Sequence, residues 1–582
     1  MASQVFEDAL DLYIDLLEVV PGVGNSGEEH TWTSSPFPNV VPTGQSESRR
    51  FRTIILENEY LRLTLVPALG GRLLSVYDKR FSHECLRGWK TIKAEVVDGT
   101  SMLPFGMVFS GCKGTRANSL GATDSMLLHP QDEGDAAEVI VAEVHSGSEI
   151  SHQIRYILPP ASSSFRMEVT VQNRSNKVVL GVHPSISVFG SNSHFSDTLE
   201  FCKVGDLAFT YVPGSLVAEA QELTPSVNFC SLSRTLGWMS PRQVDSFSIS
   251  VYPLPAGMSP TYVGHEMVAE LGSELKVCAG VPLLNHKLVV QTQTGDSFEM
   301  PVSIHPEKVL EVDLGTVPGH VFVSQVKSDL GVVVGTIPDC VLGREPIEIN
   351  AELLTPSSGA SSETNFSSLS DVALELLLAN AHHRVGALIE MASRFTLVGD
   401  YEKADRTYEQ ALLYNGDDPL LWWAKAANKR LGGLDVDVEE KLELLNAHFL
   451  SPLEPCLRAE AFLGLPQTHG KERSTLLESL SEVPEMFIEV ACQLIDARMY
   501  GDAMRFIDEA LRHQSFAMLH YLAAALYCEK SQMVAEGVNH LHQGHRANYP
   551  PYPYRLAEKW AISALVARFP DDSVLRTRFM SN

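Results

Sequence analysis

The hydrophobic period changes once along these 582 residues, and that change divides the chain. From about residue 50 to residue 350, apolar residues alternate with polar ones or come in short runs, as at 61–65, 165–171, 247–251 and 321–326. A period of two predicts strands, and their spacing between turn residues predicts a β-sandwich. Gly70-Gly71, Glu133-Gly134-Asp135 and Pro159-Pro160 mark its corners. Beyond residue 370 the period is that of a helix with one buried face. Between the two regions lies TPSSGASSETNFSSLS (355–370), with too little apolar area to offset its own ordering. Residues 351–370 are therefore expected to be a flexible linker. A clean alternation from about 271 to 340 predicts a small accessory β module, set at 271–350, which leaves 1–270 for the main sandwich and 371–582 for helices.

The helical part repeats itself. Leu388, Ala392, Phe395, Ala404, Tyr408 and Ala411 recur as Phe487, Ala491, Leu494, Ala503, Ile507 and Ala510, 99 residues later. That is close to three lengths of a helix pair of about 34 residues. The alanines let the two helices of a pair approach closely, and Tyr408 fills the remaining gap. The pattern resembles tetratricopeptide repeats, with Gly399-Asp400-Tyr401 as an inter-helix turn. Trp422 and Trp423 then fall where the core between repeats is expected.

A formal charge of −27, spread at similar density over both regions, repels phosphate backbones and anionic lipid. No nucleic-acid or membrane partner is expected. The first residues, MASQVFED, carry acids where a signal peptide needs Lys or Arg, and no run of 18 apolar residues occurs. The nine cysteines are dispersed without a C-x-x-C pair and read as free thiols. Together these predict a cytoplasmic protein. Walker, H-E-x-x-H and G-x-S-x-G motifs are absent from the sequence. His540, His542 and His545 do not make a metal set, because helix positions i and i+5 lie about 140° apart. Neither a metal nor a cofactor is expected.

The most informative segment is FRTIILENEYLRLTLVPALGGRLLSVYDK (51–79). It reads as strand, turn, strand, tight Gly70-Gly71 turn and strand, with Arg72 opening the last of these. Arg72 has two readings: a buried partner of Asp78 or Glu84, or a fork for sugar hydroxyls. The segment resembles the opening of galactose-mutarotase-like domains, the supersandwich fold of the aldose 1-epimerases. It is most similar to an uncharacterised branch of that fold that is followed by tetratricopeptide repeats. Glu57-Asn58-Glu59-Tyr60-Leu61, Pro67-Ala68-Leu69-Gly70-Gly71-Arg72 and Tyr77-Asp78-Lys79 carry the match.

The resemblance implies a site. Gly114-Thr115-Arg116-Ala117-Asn118 is similar to an epimerase stretch whose Arg contacts sugar hydroxyls, which makes Arg116 and Asn118 candidate substrate-binding residues beside Arg72. Asn173-Arg174-Ser175 through Gly181-Val182-His183-Pro184 resembles the strand pair that carries the epimerase acid, so His183 is the implied catalytic acid. Glu266 is the implied base. His129 and His152 fall where such pockets place sugar-contacting histidines, and the alternative for both is the strand surface. The pattern departs from the family at Ser185-Ile186-Ser187, where an aromatic is usual, and at Ser110-Gly111-Cys112-Lys113, where a carboxylate is usual.

The expectation is a mutarotase-like β-supersandwich, an accessory β-sandwich and an α-solenoid. Two function classes stay open. One is a carbohydrate-active enzyme, a glycoside hydrolase or sugar epimerase, acting on a soluble saccharide in the sandwich groove. The other is a non-catalytic sugar-binding or scaffold protein whose repeats bind a protein partner or a second copy.

Overall fold

The structure is a computed structural model that describes residues 2–20, 39–86, 91–92, 95–97, 100–102, 105–110, 124–129, 135–143, 150–175, 179–180, 184–190, 201–211, 217–224, 227–234, 236, 238–264, 266–272, 274–292, 297–314, 321–327, 333–338, 366, 369–380, 383–416, 418–433, 455–464, 470–481, 485–513, 515–547 and 555–579. Two antiparallel-rich sheets form the main sandwich. The larger has ten strands, and its order runs Val217–Thr224, Val227–Ser233, Ser185–Gly190, Met107–Ser110, Arg72–Asp78, Leu61–Val66, Asn39–Glu57, Gln4–Val20 and Thr91–Ile92, with His83–Glu84 added beside Arg72–Asp78. The smaller has seven, in the order Asp124–Leu128, Ala137–Glu143, Ile150–Leu158, Phe165–Asn173, Val244–Pro253, Leu207–Tyr211 and Phe201–Val204.

Alternation decides what lies between the sheets. Leu63, Leu65, Leu73, Val76, Met107, Phe109, Ile186 and Val188 of the larger sheet meet Val139, Ile154, Tyr156, Val169, Val171 and Phe209 of the smaller. The residues between them point away from this core. On the outer face of the ten-stranded sheet, Leu12, Ile14, Phe51, Val66, Leu74 and Phe105 form a separate small core. On the outer face of the seven-stranded sheet, Phe201, Ala208 and Tyr252 pack against Val263, Val268 and Cys278.

Those last three residues belong to a second, smaller sandwich. Its sheets are Tyr262–Val263, Met267–Leu271, Glu274–Ala279 and Leu310–Asp313, and Ser297–Ile304, Leu283–Thr292, Val321–Lys327 and Val333–Pro338. The first two of these strands lie on the N-terminal side of residue 271. Ala269, Leu275, Val277, Leu288, Val290 and Val326 fill its core.

The helical region follows. Its described helices are α1 (Asp371–Leu377), α2 (Arg384–Leu397), α3 (Tyr401–Leu412), α4 (Pro419–Leu431), α5 (Pro455–Gly464), α6 (Gly470–Ser481), α7 (Glu485–Asp496), α8 (Tyr500–His513), α9 (Ala517–Glu529), α10 (Val534–Arg546), α11 (Leu556–Arg568) and α12 (Ser573–Phe579). Asp400 caps α3 by accepting from Lys403 N, just after Gly399 at φ 81°, where the turn needs a left-handed residue. Ala392, Ala404, Tyr408 and Ala411 are fully buried, as are Phe487, Ala491, Ala503, Ile507 and Ala510. The architecture is thus a β-supersandwich, a small sandwich and tetratricopeptide-like helix pairs. Among the described residues, no helix is long and apolar enough to cross a membrane. Cys85, Cys202, Cys278, Cys456, Cys492 and Cys528 are buried free thiols.

Candidate functional site

Arg72 follows a 3₁₀ turn, Pro67–Leu69, that ends on two left-handed glycines, Gly70 at φ 74° and Gly71 at φ 63°. Only residues without a Cβ take two such angles in succession without strain. The turn aims Arg72 onto the outer face of the ten-stranded sheet, beside Leu74. There its guanidinium lies 4.5 Å from the centre of the Phe105 ring. Nη1 donates to Phe105 O at 2.8 Å and Nε to Leu69 O at 3.4 Å. Burial pulls its pKa down to about 9. Neither Asp78 nor Glu84 is the ion-pair partner of Arg72. Asp78 instead takes Arg80 at 2.6 Å, and Glu84 accepts from Ser75 Oγ at 2.5 Å and Val76 N at 2.9 Å.

The register carries this outer face sideways. Met107 pairs with Leu73 and Val188, and Phe109 with Ile186, all of them core residues, so Val108, Ser185 and Ser187 stand on the same side as Arg72. All three are buried, Ser187 to 3 % exposure. The two serines occupy the positions where the family pattern has an aromatic. What the sequence offered as a departure is, in space, a hydroxyl-bearing floor that continues from Arg72.

The other candidates divide. His152 belongs to the opposite side of the large sheet. It is buried among the sandwich core residues, tilted against Phe109 with ring centres 4.0 Å apart, and burial drives its pKa down to about 3. A neutral imidazole between the sheets does not reach the face that holds Arg72, nor is it strand surface. His129 is exposed just after Asp124–Leu128. Glu266 is exposed in the small sandwich, and its carbonyl accepts from Gly280 N at 2.6 Å. That sandwich covers the outer face of the seven-stranded sheet, so both main sheets, about 10 Å apart, separate Glu266 from Arg72. Glu266 is therefore not a base for a sugar bound beside Arg72. His183, Arg116 and Asn118 lie outside the described residues, although Pro184, next to His183, leads directly into Ser185–Gly190.

Arg174 belongs to a different contact. It leaves the end of Phe165–Asn173 and donates through Nε to Glu489 Oε1 at 2.6 Å, which ties the sandwich to α7. The signal in the sequence was Glu489 itself, an acid on the apolar face of EMFIEVACQLID. Among the helices, Trp423 is buried in the core, while Trp422 is half-buried and donates to Gly416 O at 2.8 Å.

His540 pairs with His520 of α9. Their Nδ1 atoms are 3.2 Å apart and the ring centres 5.5 Å, so both nitrogens lie close to the line joining the centres. That is the geometry of one shared N–H···N proton, whereas a bridging metal needs lone pairs that converge off the line. Among the described residues no cluster of three or more metal-ligating side chains occurs.

No protein-family model and no curated protein matches the chain. Among solved structures, the chain is similar to a TPR-domain-containing protein from Parabacteroides distasonis, at 13% identity over 96% of this chain and 98% of that one, with a TM-score of 0.30. It is also similar to a galactose mutarotase-like protein from Clostridium acetobutylicum (9% identity, 41% and 98% covered, TM-score 0.24). A galactose mutarotase related enzyme from Lactobacillus acidophilus matches at 8% identity, with 35% and 97% covered and a TM-score of 0.23. The chemistry of the site rests on the residues described above.

Proposed function

We propose that this protein binds a neutral saccharide on the outer face of its ten-stranded sheet, on the floor that runs from Arg72 to Ser185 and Ser187. The observation that carries the reading is the character of that floor. A guanidinium is held rigid by two carbonyls and the Phe105 ring, and hydroxyl side chains stand on the same face. Arg72 is fully buried and stiffens the floor from beneath, and the serine hydroxyls are the groups that suit a ligand made of hydroxyls and ring oxygen. The net charge of −27 favours a neutral sugar over a phosphorylated or acidic one. The described residues carry the binding part of the reading: Glu266 lies in the small sandwich and not at this floor, and His183, the implied acid, lies outside the described residues.

Titration calorimetry against a panel of neutral mono- and oligosaccharides tests the reading. Saturable binding is expected, weakened about tenfold by Ser187→Val, which removes one hydroxyl from the floor. Proton NMR of the same mixtures reads any chemistry, as faster exchange of anomeric signals or new reducing ends. Absence of binding to every sugar in the panel overturns the proposal.

A further inference from the structure

The helical array was expected to offer its surface to another protein. One part of that surface is already occupied. From the sandwich, Gln172 Nε2 donates to Asp418 Oδ1 at 2.7 Å, Arg174 to Glu489 at 2.6 Å, and Arg242 Nη2 to Gln493 Oε1 at 3.2 Å. In return, Asn415 Nδ2 donates to Arg242 O at 2.7 Å. Behind Glu489, Arg555 Nε donates to its other oxygen at 2.7 Å, and Arg555 Nη1 reaches Glu558 at 3.1 Å. Gln172, Arg174, Arg242, Asp418, Glu489, Gln493 and Arg555 are all buried. Burial alone would raise the pKa of Glu489, but Arg174 and Arg555 outweigh it and hold the carboxylate at about 2.

A recognition face kept for transient partners is solvated when empty. Here separation would strand buried charge on both sides, since Glu489 would keep one of its two guanidinium partners and Arg174 would lose its carboxylate. The backbone agrees. Arg242 stands at φ 60°, a left-handed angle that a non-glycine residue keeps only when its surroundings hold it there.

The two docking arginines also flank a single piece of the sandwich. Val179–Leu180 pairs with Trp238–Met239, Asn173 Nδ2 donates to Ser240 O at 2.8 Å, and Arg242 N donates to Ser175 O at 3.3 Å. The strand Ser185–Gly190 follows in the chain, and at its start Arg234 N donates to Pro184 O at 2.8 Å.

We infer that the helical array is a built-in positioning element, docked permanently on its own sandwich through Asp418, Glu489 and Gln493, and that it holds the connection leading to Ser185 and Ser187. Docking stands independently of the sugar proposal; the positioning of a ligand-bearing strand rests on it. Arg174 and Arg242 are the positioning residues.

The test uses the full chain with a site-specific protease sequence inserted within 355–365. After cleavage, the two fragments should co-elute on size-exclusion chromatography at micromolar concentration. Arg174→Glu should release them, at least tenfold more weakly bound, and Arg174→Lys should restore much of the association. Separation of the cleaved wild type overturns permanent docking, and that result does not depend on Arg174→Glu being able to fold. Hydrogen exchange reads the positioning role without any sugar. Arg174→Glu should raise exchange in 185–190 while leaving 150–158 unchanged. Unaltered exchange in 185–190 overturns positioning. A docked chain that binds no sugar overturns the sugar proposal alone.

Discussion

At the scale of single residues, the histidine pair between α9 and α10 gives a prediction with a definite sign. His520 Nε2 lies 3.0 Å from Ser515 Oγ, and its Nδ1 shares a proton with His540. His540 is stacked on Tyr527, with its Nε2 3.9 Å from Asp508, whose other oxygen accepts from Tyr527 OH at 2.7 Å. A second proton would place N–H against N–H. Burial, and then the neighbouring His540, lower the His520 pKa to about 4, and burial lowers that of His540 despite Asp508. A histidine with a lower pKa folded than unfolded binds fewer protons in the native state, so its contribution is complete above about pH 6.5 and is lost as the pH falls towards 4. Denaturant titrations at pH 7 and pH 5 should show His520→Leu losing less stability than the wild type over that interval, by on the order of 1–2 kcal/mol. The same loss in both would rule the pair out as the source. HLHQGH suggested a histidine cluster, but the partner that matters lies 20 positions upstream, and no spacing within one helix points to it.

At the scale of elements, the sequence was most legible. Gly399, Asp400 and the alanines of the helix pairs sit where the repeat pattern requires them, because a turn, a cap and a close helix contact are each specified within a few residues. The same logic makes Gly537 in α10 a sharp test. A Cβ there would overlap Cys528 Sγ and crowd Ala524 O of α9. Gly537→Ala should lower stability by about 1–3 kcal/mol even though alanine is the better helix former, because the packing clash outweighs the propensity gain. A thermal melt of the variant at or above the wild-type midpoint would contradict this. In the strands, alternation marked runs such as 61–65, 165–171, 247–251 and 321–326, each of which lies within a strand. It did not say which face would carry a ligand, so Ser185 and Ser187 registered only as a departure from a family pattern.

At the scale of the whole molecule, the helical array and the sandwich behave as one object, and Glu489 is where that is decided. Glu489→Gln leaves two buried guanidiniums sharing an uncharged amide, and the full chain should lose about 3–5 kcal/mol of stability in urea. A change near zero would mean that the interface is solvated rather than dry. What the sequence by itself determined was local: strand or helix, the Gly70-Gly71 turn and the repeat contacts. Periodicity and turn chemistry act over a few residues, so a linear reading recovers them. The tertiary structure alone decided that Arg72 and His152 stand on opposite sides of one sheet, that two sheets separate Glu266 from Arg72, and that Arg174 meets Glu489 across 315 positions. Those outcomes depend on which faces are buried against which, and that is settled by packing between segments that carry no mark of each other in the sequence.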